Sequence, residues 1–258
     1  MSKTSPWLQA LTDRERDYYV TEVIRRFFDK ADEDYVAARI LLHHVQLPAF
    51  FWNAQQSLEK YLKAALLLRG QSIRSNHDLK WHFKKLSQQS DLSFPSVLEA
   101  PKGLKKLPLQ QDEKGHLRPW PFRVELTQFV SALSRQGGPA SRYNERDQDF
   151  EYYDLVRFDL VAAHFRKAAL DTPNFRIHRE IKDPLADGGQ GYFGKVALNS
   201  DTFEIVLRNN LAFGEPSEPA ENAMLIAMRS NEGRQKILSR DPAYNRALSF
   251  LECKISDQ

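Results

Sequence analysis

The chain has one cysteine, Cys253, in 258 residues. A single cysteine excludes an internal disulfide, and with no histidine nearby in the sequence it is a poor nucleophile. A reducing compartment, the cytoplasm, is the expectation. Long apolar runs are also missing. No stretch of 18 or more apolar residues occurs, and Met1 to Trp7 carries no apolar signal region, so no membrane span is expected. Excess charge of one sign is scarce as well. Lys and Arg total 37 against 34 Asp and Glu, a net +3, which is too small to announce nucleic-acid binding and leaves only local basic patches. Metal-ligand spacing is absent among the seven histidines. His43 and His44 are adjacent and point to different helix faces, so no metal site and no cofactor are expected.

What is present is a succession of helical patterns. Thr12 and Glu15 form a capping box. Apolar residues then recur at Val20, Ile24, Phe27, Ala31, Tyr35, Ala38, Leu42 and Val45, one stripe that fits one long helix or two in sequence. Pro48 suits the first turn of a helix over about 49–69, which buries Phe51, Ala54, Leu58, Ala65 and Leu68 and ends at Gly70. Glu59 and Lys63 stand four apart in the favourable order and read as a surface pair. A third helix is expected over about 78–88, with His77 or Asn76 as its cap and Asp78 in its first turn. Residues 90–121 hold prolines at 95, 101, 108, 119 and 121 and read as an irregular insertion with one short helix. Further helices are expected over 122–133 and 150–170.

After Pro173 the texture changes, and glycines cluster at 188, 189, 191 and 194. Residues 195–207 read either as a short β-hairpin or as a short helix. Gly189, Gly191 and Gly194 fit the glycine-rich loop of protein kinases. Only 62 residues follow Val196, and the other kinase motifs do not appear in order, so a turn is the reading kept. The fold class is therefore mainly all-α: an up-and-down antiparallel helical bundle over 12–171, with an insertion at about 90–121. A small C-terminal extension follows over 172–258, and a short β-hairpin is one reading of it.

Several ordered motifs resemble the HEPN domain family. They are Ala31 to Tyr35 with Ala37 and Ala38, then Gln56, Glu59, Lys60, Lys63 and Ala64, then Gly70, then His77, Asp78 and Leu79. Arg142 and Tyr143 resemble a further family element before the last helix. The resemblance spans roughly residues 25–170 apart from the insertion. It implies a dimeric helical bundle that binds nucleotide or RNA. In some members the partner is a small nucleotidyltransferase-type antitoxin, within toxin–antitoxin or defence modules. A catalytic subset are metal-independent ribonucleases, marked by an arginine, four to six residues and a histidine.

Arg157 and His164 stand at that spacing, with six residues between them on one helix. Seven residues is about two turns, so both share a face about 10 Å apart, and a working pair would draw on two copies across a dimer. Histidine can move the proton of a ribose hydroxyl, and arginine can clamp phosphate. The pattern departs from the family at Phe158, where catalytic members usually carry a polar residue, and in lying deep within the helix. Candidate nucleotide or RNA contacts are Arg142, Arg146, His77, Lys84 and Lys85. Lys80, His82, Lys84 and Lys85 form a basic run beside Trp81, and Lys102, Lys105 and Lys106 form another. Three functions stay open: a nucleotide- or RNA-binding protein, a ribonuclease using Arg157 and His164, and a non-catalytic dimerisation module.

Overall fold

The structure, a computed structural model, describes residues 8, 10–99, 109–111, 117–119, 123–138, 152–172, 246, 249 and 251–255; for 43, 109–111, 117–119 and 152–154 it describes the backbone alone. The described residues are mainly helical. Helix α1 (Asp13–Val23) starts at the expected box: the Glu15 amide donates to Thr12 Oγ1 at 3.3 Å, and the Thr12 amide donates to Glu15 Oε2 at 2.9 Å. A π-helical turn over Ile24–Phe28 joins it without a break to α2 (Asp29–His43). The apolar stripe is thus one continuous rod re-aimed by one wide turn.

Helix α3 (Leu47–Leu68) has Pro48 in its first turn and is buried over most of its length. Tyr61, Leu62 and the run from Ala64 to Leu68 are fully covered. It packs on α2 and on α6 (Tyr152–Leu170), so it is the central helix. Both α2 and α3 end in the same reverse-turn cap. After α3, Gln71 N–H donates to the Leu66 carbonyl and Gly70 N–H to the Leu67 carbonyl, with Gly70 at φ 75°. After α2, Gln46 N–H donates to Leu41 and Val45 N–H to Leu42, with Val45 at φ 57°. The left-handed position suits glycine and strains a β-branched residue.

Helix α4 (Leu79–Ser87) is capped by Asp78, whose carboxylate accepts from Trp81 N–H at 2.9 Å. The cap is therefore Asp78, in place of His77 or Asn76: a carboxylate one residue before the helix reaches the third amide directly. The insertion also differs from expectation. Beyond the 90–96 loop its described residues are strands: β1 (Val97–Glu99) pairs antiparallel with β4 (Arg123–Glu125), and β2 (Leu109–Gln111) with β3 (Leu117–Pro119) between them in sequence. Leu98 and Val124 face each other in the outer ladder and are buried, which anchors it to the bundle. Helix α5 (Leu126–Gln136) begins after β4, because 123–125 is spent on the ladder. Where α5 ends, Gly137 packs so closely on α3 that an added Cβ would lie 2.5 Å from the Phe51 carbonyl oxygen. The hairpin or helix read over 195–207 lies outside the described residues. Near the C-terminus, Leu251 is buried in the core, Ile73 N–H donates to the Lys254 carbonyl at 2.9 Å, and Arg246 pairs with Glu15 at 3.0 Å.

Two buried ion pairs tie α6 to the other helices. Asp32 on α2 accepts both Arg166 Nε at 2.9 Å and Nη2 at 3.1 Å, and also the Tyr61 hydroxyl from α3. Asp159 on α6 accepts the Arg39 guanidinium and the Tyr35 hydroxyl, both from α2. Burial pushes each carboxyl up, while its arginine pulls it down. These pairs fix the rotation of α6, the helix that carries Arg157 and His164. Among the described residues no helix is long and apolar enough to cross a membrane.

Candidate functional site

The motif residues on α3 converge on the loop before α4. Lys63 Nζ lies 2.7 Å from Glu59 Oε1, and both side chains are almost fully buried. The expected pair therefore forms, but inside the protein, not on its surface. The reason is the 75–77 loop, which lies over it: Lys63 also donates to the Asn76 carbonyl at 3.2 Å. His77 Nδ1 lies 3.3 Å from Glu59 Oε1 and 3.3 Å from Gln56 Nε2, while about half of its side chain faces solvent. The Trp52 ring stands edge-on at 5.7 Å. Gln55 reaches the same loop, its Nε2 at 3.5 Å from the His77 carbonyl. Lys60 pairs instead with Asp34 of α2. The motif thus splits into parts: Lys60 ties α3 to α2, and Gln56, Glu59 and Lys63 hold the His77 loop.

Residues 24–107 match the model of the HEPN domain. That stretch of the chain is similar to HEPN domains. No curated protein and no solved structure matches the chain.

The matched segment includes α4, and the basic run there separates into distinct groups. His82 is not part of a basic surface. It is fully buried beneath α4, its Nδ1 2.7 Å from the Asp78 carbonyl. Burial, helped by the nearby Lys63 charge, holds its pKa down at about 4, so the imidazole is neutral at pH 7. Leu79, His82 and Leu86 follow the helical period, and this puts His82 on the inner face. Lys85 donates to the Ser72 carbonyl at 2.6 Å and lies 4.7 Å from the Trp81 ring centre, with Arg74 4.6 Å from the same centre. Its pKa is pulled down by partial burial and by the neighbouring Lys254 and Arg74 charges. Lys85 therefore pins the loop before α4.

Lys80 and Lys84 differ. Both are exposed, one turn apart on α4, and both line a groove of about 690 Å³ between α4, α5 and the 92–96 loop. Phe83, Phe94, Leu92, Leu126 and Val130 supply its apolar surface, and Ser87, Ser93, Ser96, Thr127 and Ser131 its hydroxyls. Phe83 and Phe94 stack edge-on at 5.8 Å, and each meets buried Phe165 of α6 from behind, at 5.5 and 5.7 Å. This aromatic trio gives the groove a firm floor.

On the other flank of α5 a second groove, about 590 Å³, is lined by Val97, Arg123, Val124, Glu125, Gln128, Phe129, Ala132 and Arg157. His164 lies two turns further along α6, half-buried, and lines neither groove. Burial and the charge of Lys167 lower its pKa. Arg142 and Arg146, and the lysines at 102, 105 and 106, lie outside the described residues. Among the described residues no group of three or more His, Cys, Asp or Glu could hold a metal ion. Sequence reading missed Phe83 and Phe94 as site residues. The available signal was Phe83 standing between Lys80 and Lys84 on one short helix, with Phe94 following in the next loop.

Proposed function

We propose that this HEPN-domain protein binds a nucleotide or a short stretch of RNA in the groove between α4 and α5. One observation carries the reading: Lys80 and Lys84 stand one turn apart on the rim of a groove floored by Phe83 and Phe94. Ammonium groups at that spacing suit successive phosphates, and an apolar aromatic floor suits the face of a base. The surrounding serine and threonine hydroxyls suit sugar and base edges. The family's association with nucleotides and RNA points the same way. An RNA oligomer carrying photoreactive thiouridine tests it. The expected result is crosslinking to peptides containing Phe83 or Phe94, and its loss in the Lys80→Gln/Lys84→Gln variant. Crosslinks that map elsewhere and survive that variant would sink the reading.

A second reading, metal-independent ribonuclease with Arg157 as phosphate clamp and His164 as acid and base, draws support from one feature. Partial burial keeps His164 in the neutral form that accepts a proton near pH 7. Homodimerisation and a nucleotidyltransferase-type partner are proposals that rest on the family alone, since HEPN domains often dimerise. Loss of RNA cleavage in His164→Ala with binding intact would favour the second reading.

A further inference from the structure

The C-terminal segment holds the bundle at two points. Leu251 is fully buried, and Ile255, four residues on, packs part-buried on the same core, while Glu252 and Cys253 face solvent. The backbone beside them is tied as well: the Ile73 amide donates to the Lys254 carbonyl at 2.9 Å. Further back, Arg246, itself largely exposed, lies 3.0 Å from Glu15 Oε1, the carboxylate whose Oε2 caps α1. These anchors are slight beside the fully covered run of α3. Lys254 also brings its charge close to Lys85 and Arg74, and like charges oppose the contact. A segment held by so little apolar area opens at a lower free energy than the core. Ile73 belongs to the 71–78 stretch that joins α3 to α4. Within it the Ser72 carbonyl accepts from Lys85 at 2.6 Å, Arg74 stands over the Trp81 ring at 4.6 Å, and Asp78 caps α4. One short stretch therefore links the C-terminal segment to the helix whose lysines rim the groove.

We propose that residues 251–255, with Arg246, form a clasp that opens and closes while the core stays folded, and that its closure orders the 71–78 stretch and the start of α4. Closed, the clasp buries Leu251 and gives the Ile73 amide its acceptor. Open, it frees that amide and removes the brace beside the Ser72 carbonyl, the group that anchors Lys85. The start of α4 then gains freedom, and Lys80 and Lys84 lose part of their fixed spacing. Restoring that order on binding costs affinity. The clasp is thus a control on the groove, set from a part of the chain far outside the 24–107 match. Its effect on binding rests on the reading that the groove takes nucleotide or RNA; its opening does not.

The test follows amide hydrogen exchange in the full-length protein by nuclear magnetic resonance. In the wild type the Ile73 amide should exchange faster than the core amides of Leu62 and Leu66, because it is released with the clasp. Leu251→Asp should speed Ile73 exchange by at least about tenfold and leave Leu62 and Leu66 as they were. Leu251→Ala is the milder variant and decides the matter if the aspartate disturbs the whole fold; it should show the same pattern at smaller amplitude. Both variants should also bind a labelled single-stranded RNA more weakly than the wild type. Ile73 exchanging together with Leu62 in the wild type would show a segment locked to the core. Ile73 exchange unchanged in both variants would show that Leu251 holds nothing there. Either result overturns the proposal. A freed Ile73 with unchanged RNA affinity overturns the link to α4. A wild type that binds no RNA overturns the groove reading and that link with it, while Ile73 exchange still decides the clasp.

Discussion

His82 makes the fold's pH response calculable. Its imidazole is fully buried beneath α4, and burial with the nearby Lys63 charge holds its pKa at about 4 against an ordinary 6.5. A histidine with a depressed folded pKa binds its proton more tightly in the unfolded chain. Its stabilising contribution is therefore full above pH 6.5 and is lost as pH falls from there toward 4. At pH 5 the unfolded chain holds this proton and the folded protein does not, a difference worth about 2 kcal/mol; by pH 4 it approaches about 3 kcal/mol. The assay is urea unfolding at pH 7 and pH 5 for the wild type and for His82→Leu. The variant loses the bond from Nδ1 to the Asp78 carbonyl, which lowers its stability at both pH values. The informative quantity is thus the change between the two pH values. The wild type should lose about 2 kcal/mol more across that interval than the variant. His164, whose pKa is also lowered, contributes to both proteins and cancels. Equal losses would show that His82 titrates in water and that the inner face of α4 is wrongly placed.

Three further substitutions test the scaffold. Val45→Gly should raise stability by about 1 kcal/mol in thermal unfolding, because Val45 occupies a left-handed cap at φ 57° and is 75 % exposed, with little packing to lose. Arg39→Met should cost about 3–5 kcal/mol, since it strands buried Asp159, while adding Asp159→Leu should restore most of it; single and double variants that unfold alike would contradict a buried pair. Gly137→Ala should cost about 1–3 kcal/mol by denaturant unfolding, because its methyl would meet the Phe51 carbonyl and the Gln55 side chain.

The helices were legible because their signals are local. The Thr12 box, Pro48 and Gly70 each act within one turn, and the apolar spacing of α3 states its period outright. The insertion was not legible, because strands of three residues show no period and its prolines imitate irregular chain. Pairings such as Asp32 with Arg166 and Asp159 with Arg39 join residues more than a hundred positions apart, and no local pattern announces them. The clue, an acid set within an apolar stripe beside Ala31 and Tyr35, is visible only once burial is in mind. The same holds for Glu59 and Lys63: spacing predicts the pair, but only the fold shows that the 75–77 loop buries it. At the candidate site the lysines were legible as a basic run. Their sorting into groove (Lys80, Lys84), loop anchor (Lys85) and core (His82) depends on how α4 is rotated against the bundle.

In the proposed function, Lys80 and Lys84 hold the phosphates of a bound nucleotide or RNA. Fluorescence anisotropy with a labelled single-stranded RNA, repeated over a series of salt concentrations, tests it most directly. Two lost phosphate contacts lower the slope of log affinity against log salt by about 1.4. Weaker binding and that shallower slope are expected for Lys80→Gln/Lys84→Gln at unchanged thermal stability. Wild-type affinity and slope in the double variant would contradict it.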